Sequence, residues 1–244
     1  MVKFTILGSG SAVQYENRSS ASYLLEYNDK KIILDAGFCL LDRLEKVSVL
    51  ADEIDYIFVS HKHPDHFMGI IHFLFARKSI TSYSNNPVTI FGFKGLESYI
   101  NGFRKILGHW IEPEIDIKIV EDTKFSFDDF EYELFKTVHT DESVGIKLYI
   151  DGKKIVYTGD SEYFDDLIVH VNEADLFVAD CGKIKGDVIE GHMSYDEVLQ
   201  VAINAGVKNL LFSHFYPDSD KFEINVDNYN FKVFKARDLM SIYL

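Results

Sequence analysis

The sequence predicts an α+β fold of mixed β-sheets flanked by helices, and three observations lead there. Short apolar runs alternate with stretches of helical spacing, the pattern of strands covered by helices. Several of those runs are joined by tight turns, which argues against a purely doubly wound parallel sheet. No linker-like break in composition divides the 244 residues, so 1–244 reads as one domain near the upper end of what a single core holds.

Composition narrows the classes. At 47% hydrophobic and 14% aromatic the chain can bury a large core, and four prolines with no low-complexity tract set it apart from disordered chains. The net charge of −14 weighs against a protein that grips a long polyanion through many phosphates. The two cysteines, Cys39 and Cys181, stand far apart in no paired motif and read as reduced thiols. With a first segment that is strand-like rather than signal-like and no membrane-length apolar run, a cytoplasmic location without membrane contact is expected.

In chain order, residues 4–7 form a first strand running into Gly8-Ser9-Gly10-Ser11-Ala12. That segment lacks the Lys-Ser/Thr of a P-loop and the third Gly of a dinucleotide fingerprint, so it reads as a tight turn, with backbone approach to an anion as the alternative. Strands at 22–27 and 31–34 make a hairpin about Asn28-Asp29. Asp35 ends its second arm and either supports a ligating His or caps the helix expected at 38–47. Residues 56–59 read as a buried strand and 67–78 as a buried helix, with a polar cluster in the turn between them. A polar loop at 81–87, a strand at 88–91, a helix at 95–107 and strands at 115–120, 125–127 and 132–138 follow. A hairpin of 144–150 and 154–157 turns on Asp151-Gly152. The rest reads as a helix at 167–171, a strand at 174–179, a helix opened by Ser194 with Glu197 as a capping box, and strands at 209–212, 231–234 and 241–244.

The cluster is Ser60-His61-Lys62-His63-Pro64-Asp65-His66. Three imidazoles and a carboxylate at the carboxyl end of a buried strand are the side chains that bind first-row divalent metals, at the sheet edge where α/β proteins place ligands. A solvated loop would not need this density of His. Polar residues recur past other apolar strands at His139, Asp160, Asp180 and His214, and His192 lies in the loop before the capped helix. Of the nine histidines, His72, His109 and His170 fall in helix or loop settings and read as structural or solvent-facing.

This pattern resembles the His-x-His-x-Asp-His signature of metallo-β-lactamase-fold hydrolases, and His139, Asp160 and His214 match that superfamily's later motifs in order. The resemblance implies an αββα four-layer sandwich with two divalent metal ions at one edge. Zinc is the first expectation, manganese or iron the alternatives. One ion would be held by His61, His63 and His139, the other by Asp65, His66 and His214, with Asp160 bridging. A hydroxide between ions about 3.5–4 Å apart would be the nucleophile, oriented by Asp65. Ala179-Asp180-Cys181 followed by Gly191-His192-Met193-Ser194 is similar to the ribonuclease Z branch, which implies that His192, held by Asp180, protonates the leaving oxygen. Arg18 matches an Arg of that branch's opening loop and is a candidate phosphate contact. Where a tRNA-gripping arm would enter, between His139 and Asp160, this sequence has one hairpin. The arm-less relatives imply a phosphodiesterase acting on a small phosphodiester or nucleotide. The alternatives are a ribonuclease Z-type tRNA 3′-end endoribonuclease, a hydrolase of another ester-type bond, and a non-catalytic metal-binding protein. Thr81–Asn86 and Phe215-Tyr216 are candidate surfaces for a homodimer.

Overall fold

The computed structural model describes residues 1–79, 86–113, 115–185, 190–223 and 229–244. Two seven-stranded mixed sheets are flanked by helices, in the α+β arrangement expected. In the first sheet β1 (Val2–Gly8), β2 (Ser22–Tyr27) and β3 (Lys30–Ala36) run antiparallel. Then β4 (Tyr56–Val59), β5 (Val88–Gly92) and β6 (Ile117–Val120) add in parallel. The second sheet repeats the plan. Strands β7 (Lys124–Ser126), β8 (Glu131–Lys136), β9 (Val144–Ile150) and β10 (Lys153–Tyr157) are antiparallel. Parallel β11 (Leu176–Asp180), β12 (Asn209–Ser213) and β13 (Lys232–Lys235) complete it. The last strand, β14 (Ser241–Tyr243), returns to pair with β1.

Apolar residues on both faces of a strand need cover on both sides, and the packing shows it. In β4, Phe58 points between the sheets beside Phe91 and Tyr132, while Ile57 and Val59 face the helices. Burying a Phe side chain in such a layer contributes roughly 2–3 kcal/mol. The outer layer on the first sheet is α1 (Leu40–Lys46), α2 (Pro64–Ser79) and α3 (Leu96–Leu107); α4 (Leu167–Val171) and α5 (Tyr195–Ala205) pack against the second. The capping box at α5 forms, with Glu197 Oε2 accepting from the Ser194 backbone N–H at 2.8 Å.

One detail differs from expectation. Helix α2 begins at Pro64, so Asp65 and His66 sit in its first turn rather than in a loop before it. Proline suits that first position because its missing N–H would have no partner there. The polar loop expected at 81–87 falls, save for its last two residues, outside the described residues, and with it most of the Thr81–Asn86 surface. Among the described residues, no helix is long and apolar enough to cross a membrane.

Candidate active site

Four strand ends and one helix start converge on one edge of the sandwich. His61 and His63 leave β4, and Asp65 and His66 open α2. His139 follows β8, Asp160 follows β10, and His214 follows β12. The structure brings all seven together. Ligand atoms of His61, His63, His139 and Asp160 lie within 4.8 Å of one another, and so do those of Asp65, His66 and His214. Asp160 lies between the groups, with Oδ2 3.7 Å from His61 Nε2 and 3.6 Å from His139 Nε2. Its Oδ1 is 3.1 Å from His66 Nε2 and 3.3 Å from His214 Nε2.

Hydrogen bonds to the outer nitrogens of His61, His66 and His139 set the orientation of those rings. Asp35 accepts from the Ser60 backbone N–H at 2.7 Å, from Ser60 Oγ at 2.7 Å and from His66 Nδ1 at 2.6 Å. Since the Ser60 hydroxyl donates to Asp35, it accepts from His61 Nδ1, 2.9 Å away. His139 Nδ1 donates to the Gly191 carbonyl at 2.9 Å. Nε2 of His61, His66 and His139 is therefore turned toward the cluster, and that of His139 also lies 3.0 Å from His63 Nδ1, which donates to it. Asp35 thus supports a ligand-type His, which resolves the alternative left open by the sequence, and it caps no helix.

These residues fit divalent ions on structural grounds. Nε2 of His61, His66 and His214, Nδ1 of His214 and Oδ1 of Asp160 are buried without a hydrogen-bond partner. Unsatisfied buried polar atoms are costly unless something occupies the space between them. Burial, followed by the neighbouring His66, holds His61 well below the usual imidazole range. On His66 burial acts the same way, but Asp160, Asp35 and Asp65 outweigh it and push that imidazole well above its ordinary value. Three carboxylates that would draw a proton onto a fully buried imidazole will equally draw a cation. With only imidazole and carboxylate donors, the set suits zinc, manganese or iron.

Beside the cluster, His192 Nδ1 donates to Asp180 Oδ2 at 2.7 Å. Asp180 is fixed in turn by backbone N–H groups of Gly182 at 2.8 Å and Ser161 at 3.1 Å. Burial alone would lower the His192 imidazole, but the Asp180 carboxylate raises it to about 9. A ligand atom of His192 lies within 4.8 Å of those of Asp160 and His214.

Arg18 needs correction. Its Nε and one terminal nitrogen donate to Asp220 at 2.7 and 2.8 Å, and the other donates to Ser9 Oγ at 2.6 Å and the Ala236 carbonyl at 2.7 Å. A guanidinium so engaged, with its charge met by Asp220, has no fork left for a phosphate. Phe215 also departs from expectation. It is fully buried under the Arg18 guanidinium, so it offers no surface to a second copy. His72, His109 and His170 stand outside the cluster, His109 tilted against Trp110 and His170 stacked on Phe135.

Three contributors were not assigned from sequence. Tyr157 reaches across the sandwich to donate to Asp35 Oδ2 at 2.6 Å. Glu162 accepts from the Gly191 N–H at 2.7 Å. Gly191 itself has φ +83°, and a Cβ there would sit 2.4 Å from the His139 ring. The glycine before a ligand-like His was a usable signal, whereas nothing local marks Tyr157 or Glu162.

Two sheets back to back, helices outside and a His/Asp cluster at one edge define a metallo-hydrolase of the metallo-β-lactamase fold. Residues 2–236 match the family model described as Anti-Pycsar protein Apyc1, and the chain belongs to that family. It is 26% identical over 215 residues to the probable metallo-hydrolase YhfI of Bacillus subtilis, covering 87% of this chain and 86% of that one. The YhfI crystal structure superposes with a TM-score of 0.82 over the whole of both chains at 23% identity. A ribonuclease Z of Ignicoccus hospitalis is 23% identical over 266 residues, 87% of each chain. The crystal structure of a diphosphatase of the PhnP family shares the fold, with a TM-score of 0.75 and 16% identity over 100% of this chain and 98% of that one.

Proposed function

We propose that the protein is a dinuclear metal-dependent phosphodiesterase acting on a small phosphodiester or nucleotide. The observation that carries the reading is the His192–Asp180 pair beside the seven-residue cluster, since breaking a P–O bond to an alkoxide calls for a proton donor at the leaving oxygen. His61, His63 and His139 would hold one ion and Asp65, His66 and His214 the other, with Asp160 shared. Bound divalent ions, zinc first among the candidates, supply Lewis acidity and an ionised water near neutral pH.

The chain's own residues do the rest. Asp65, in the first turn of α2, accepts a hydrogen bond from the attacking water and orients it. Asp180 keeps a proton on His192 Nδ1 and turns Nε2 toward the site. His192, carrying a second proton at Nε2, gives it to the departing oxygen. The relatives named ribonuclease Z support phosphodiester chemistry. The interval from His139 to Asp160 is the β9–β10 hairpin, which supports a small substrate over a tRNA precursor.

A chromogenic bis-aryl phosphodiester and 2′,3′- and 3′,5′-cyclic nucleotides, offered with manganese or zinc, test this. Turnover that Asp65→Ala abolishes is expected. No turnover of any of them sinks the reading, and cleavage of a tRNA precursor alone favours the ribonuclease Z alternative. For His192→Ala, the loss should be about 100-fold or more on alkoxide leaving groups and small on a nitrophenolate, which leaves without a proton. Equal losses on both would remove His192 from the acid role.

A further inference from the structure

His214 is held differently from the other histidines of the cluster. Ser60 orients His61, Asp35 orients His66 and the Gly191 carbonyl orients His139, but His214 has no hydrogen-bond partner on either ring nitrogen. Its backbone is also in the left-handed region, at φ +59°. A non-glycine residue there is strained, and such strain persists only where the surroundings over-determine it. No hydrogen bond aims the ring: it packs against His192, His66 and Tyr216, and its position along the chain is set by the backbone, where the next residue supplies the grip.

Phe215 is fully buried, and its N–H donates to the Ser9 carbonyl at 3.0 Å. The Arg18 guanidinium lies over its ring, 4.6 Å from the centroid. That guanidinium is locked by the two-pronged pair with Asp220 and by its bond to Ser9 Oγ. Asp238 clamps the other side of the same turn, accepting from the Ser9 N–H at 2.9 Å, Ser9 Oγ at 2.7 Å and the Ser19 N–H at 2.8 Å. Lys235 adds a second contact to Asp220 at 3.0 Å.

We infer that Arg18, through Asp220 and Phe215, is the positioning residue for His214, and that it tunes the Asp65–His66–His214 ion site without touching ion or substrate. The inference rests on the metal-ion reading above. Stacked between Phe215 and the opening turn, the guanidinium prevents His214 from relaxing into an ordinary backbone conformation, which would carry its ring away from Asp160. Supports of this kind typically change metal affinity by about 10–100-fold when lost.

The test is zinc binding by equilibrium dialysis against a graded chelator, in wild type, Arg18→Ala, Arg18→Lys and Asp220→Asn. His214→Ala and His61→Ala identify which binding step belongs to which site, and melting temperatures are measured alongside. Lys147→Met serves as a control, because it breaks a half-exposed pair with Glu133 on β8 and β9. Arg18→Ala and Asp220→Asn should weaken the step lost in His214→Ala by about 10-fold or more while the His61 step stays within about two-fold. Arg18→Lys should recover part of the loss. Both steps weakening together in proportion to the melting temperature, as in the control, overturns the inference, as does no change in either. If Arg18→Ala does not fold, the Arg18→Lys and Asp220→Asn results decide by the same criterion. A wild-type chain that binds two ions while the Arg18 variants are unaffected sinks the positioning role alone; one that binds no ion sinks the metal reading and this role with it.

Discussion

A single carboxylate outside the cluster, Asp35, holds much of its support together. It also sits at φ +56° and joins Ser60, His66 and Tyr157. Removing one partner leaves the others to hold it, so Tyr157→Phe should cost about 1–2 kcal/mol of stability, read from denaturant unfolding, and loosen the cross-sheet register of His66. Asp220 permits a pH prediction. Burial raises its carboxyl, but Arg18 and then Lys235 outweigh that and leave it below the ordinary value of 3.8. A lowered folded-state pKa means stability that is fully present above the unfolded value and lost as pH falls through the folded one. Asp220→Asn should therefore be less stable than wild type at pH 7, by about 1 kcal/mol in denaturant unfolding for a part-buried charged pair. That gap should begin to close below about pH 4 and vanish only below the lowered folded-state value. A gap that persists into acid would assign the loss to packing instead.

At the scale of elements, the sequence was most legible where chemistry and periodicity coincide. Apolar runs ending in His or Asp predicted β4, β8, β10 and β12 and the His and Asp side chains that cluster past them, because a strand end is fixed by its buried run and the residues that follow must then be at the edge. Boundaries inside the polar cluster were less legible. Pro64 both permits a helix start and ends a strand, so the onset of α2 two residues before His66 depended on packing. The support network was barely legible, since Tyr157, Glu162 and Asp220 lie far in sequence from what they hold. Arg18 shows the hazard directly: an Arg in an opening loop suits a phosphate until the structure supplies Asp220. Gly191 makes the turn before α5 testable. Its φ of +83° and the 2.4 Å approach of a would-be Cβ to the His139 ring predict that Gly191→Ala displaces His139. Zinc bound at the His61–His63–His139 site should fall by an order of magnitude, with the Asp65–His66–His214 site retained.

Across the whole molecule, the site is divided between two sheets with separate hydrogen-bond ladders. His61, His63, Asp65 and His66 come from the first sheet's half, and His139, Asp160 and His214 from the second. Ions bound between them would add a cross-brace to the packing of Phe58, Phe91 and Tyr132, and excess zinc at about 100 times its dissociation constant should add about 2.7 kcal/mol per ion to unfolding. Chelation should accordingly lower the melting temperature. That division also has a consequence for timing. The nitrogens that would face an ion on His61 and His66 have no exposed surface once the halves have docked. An ion arriving after docking must wait for the edge to breathe, while one present during refolding finds the two halves still apart. Uptake by the folded apoprotein should thus be slower than uptake on dilution from denaturant, and its rate should stop rising with zinc concentration where opening becomes limiting. Stopped-flow mixing with a zinc indicator would measure that plateau, which makes the rate of metal capture a clock for how often that edge opens.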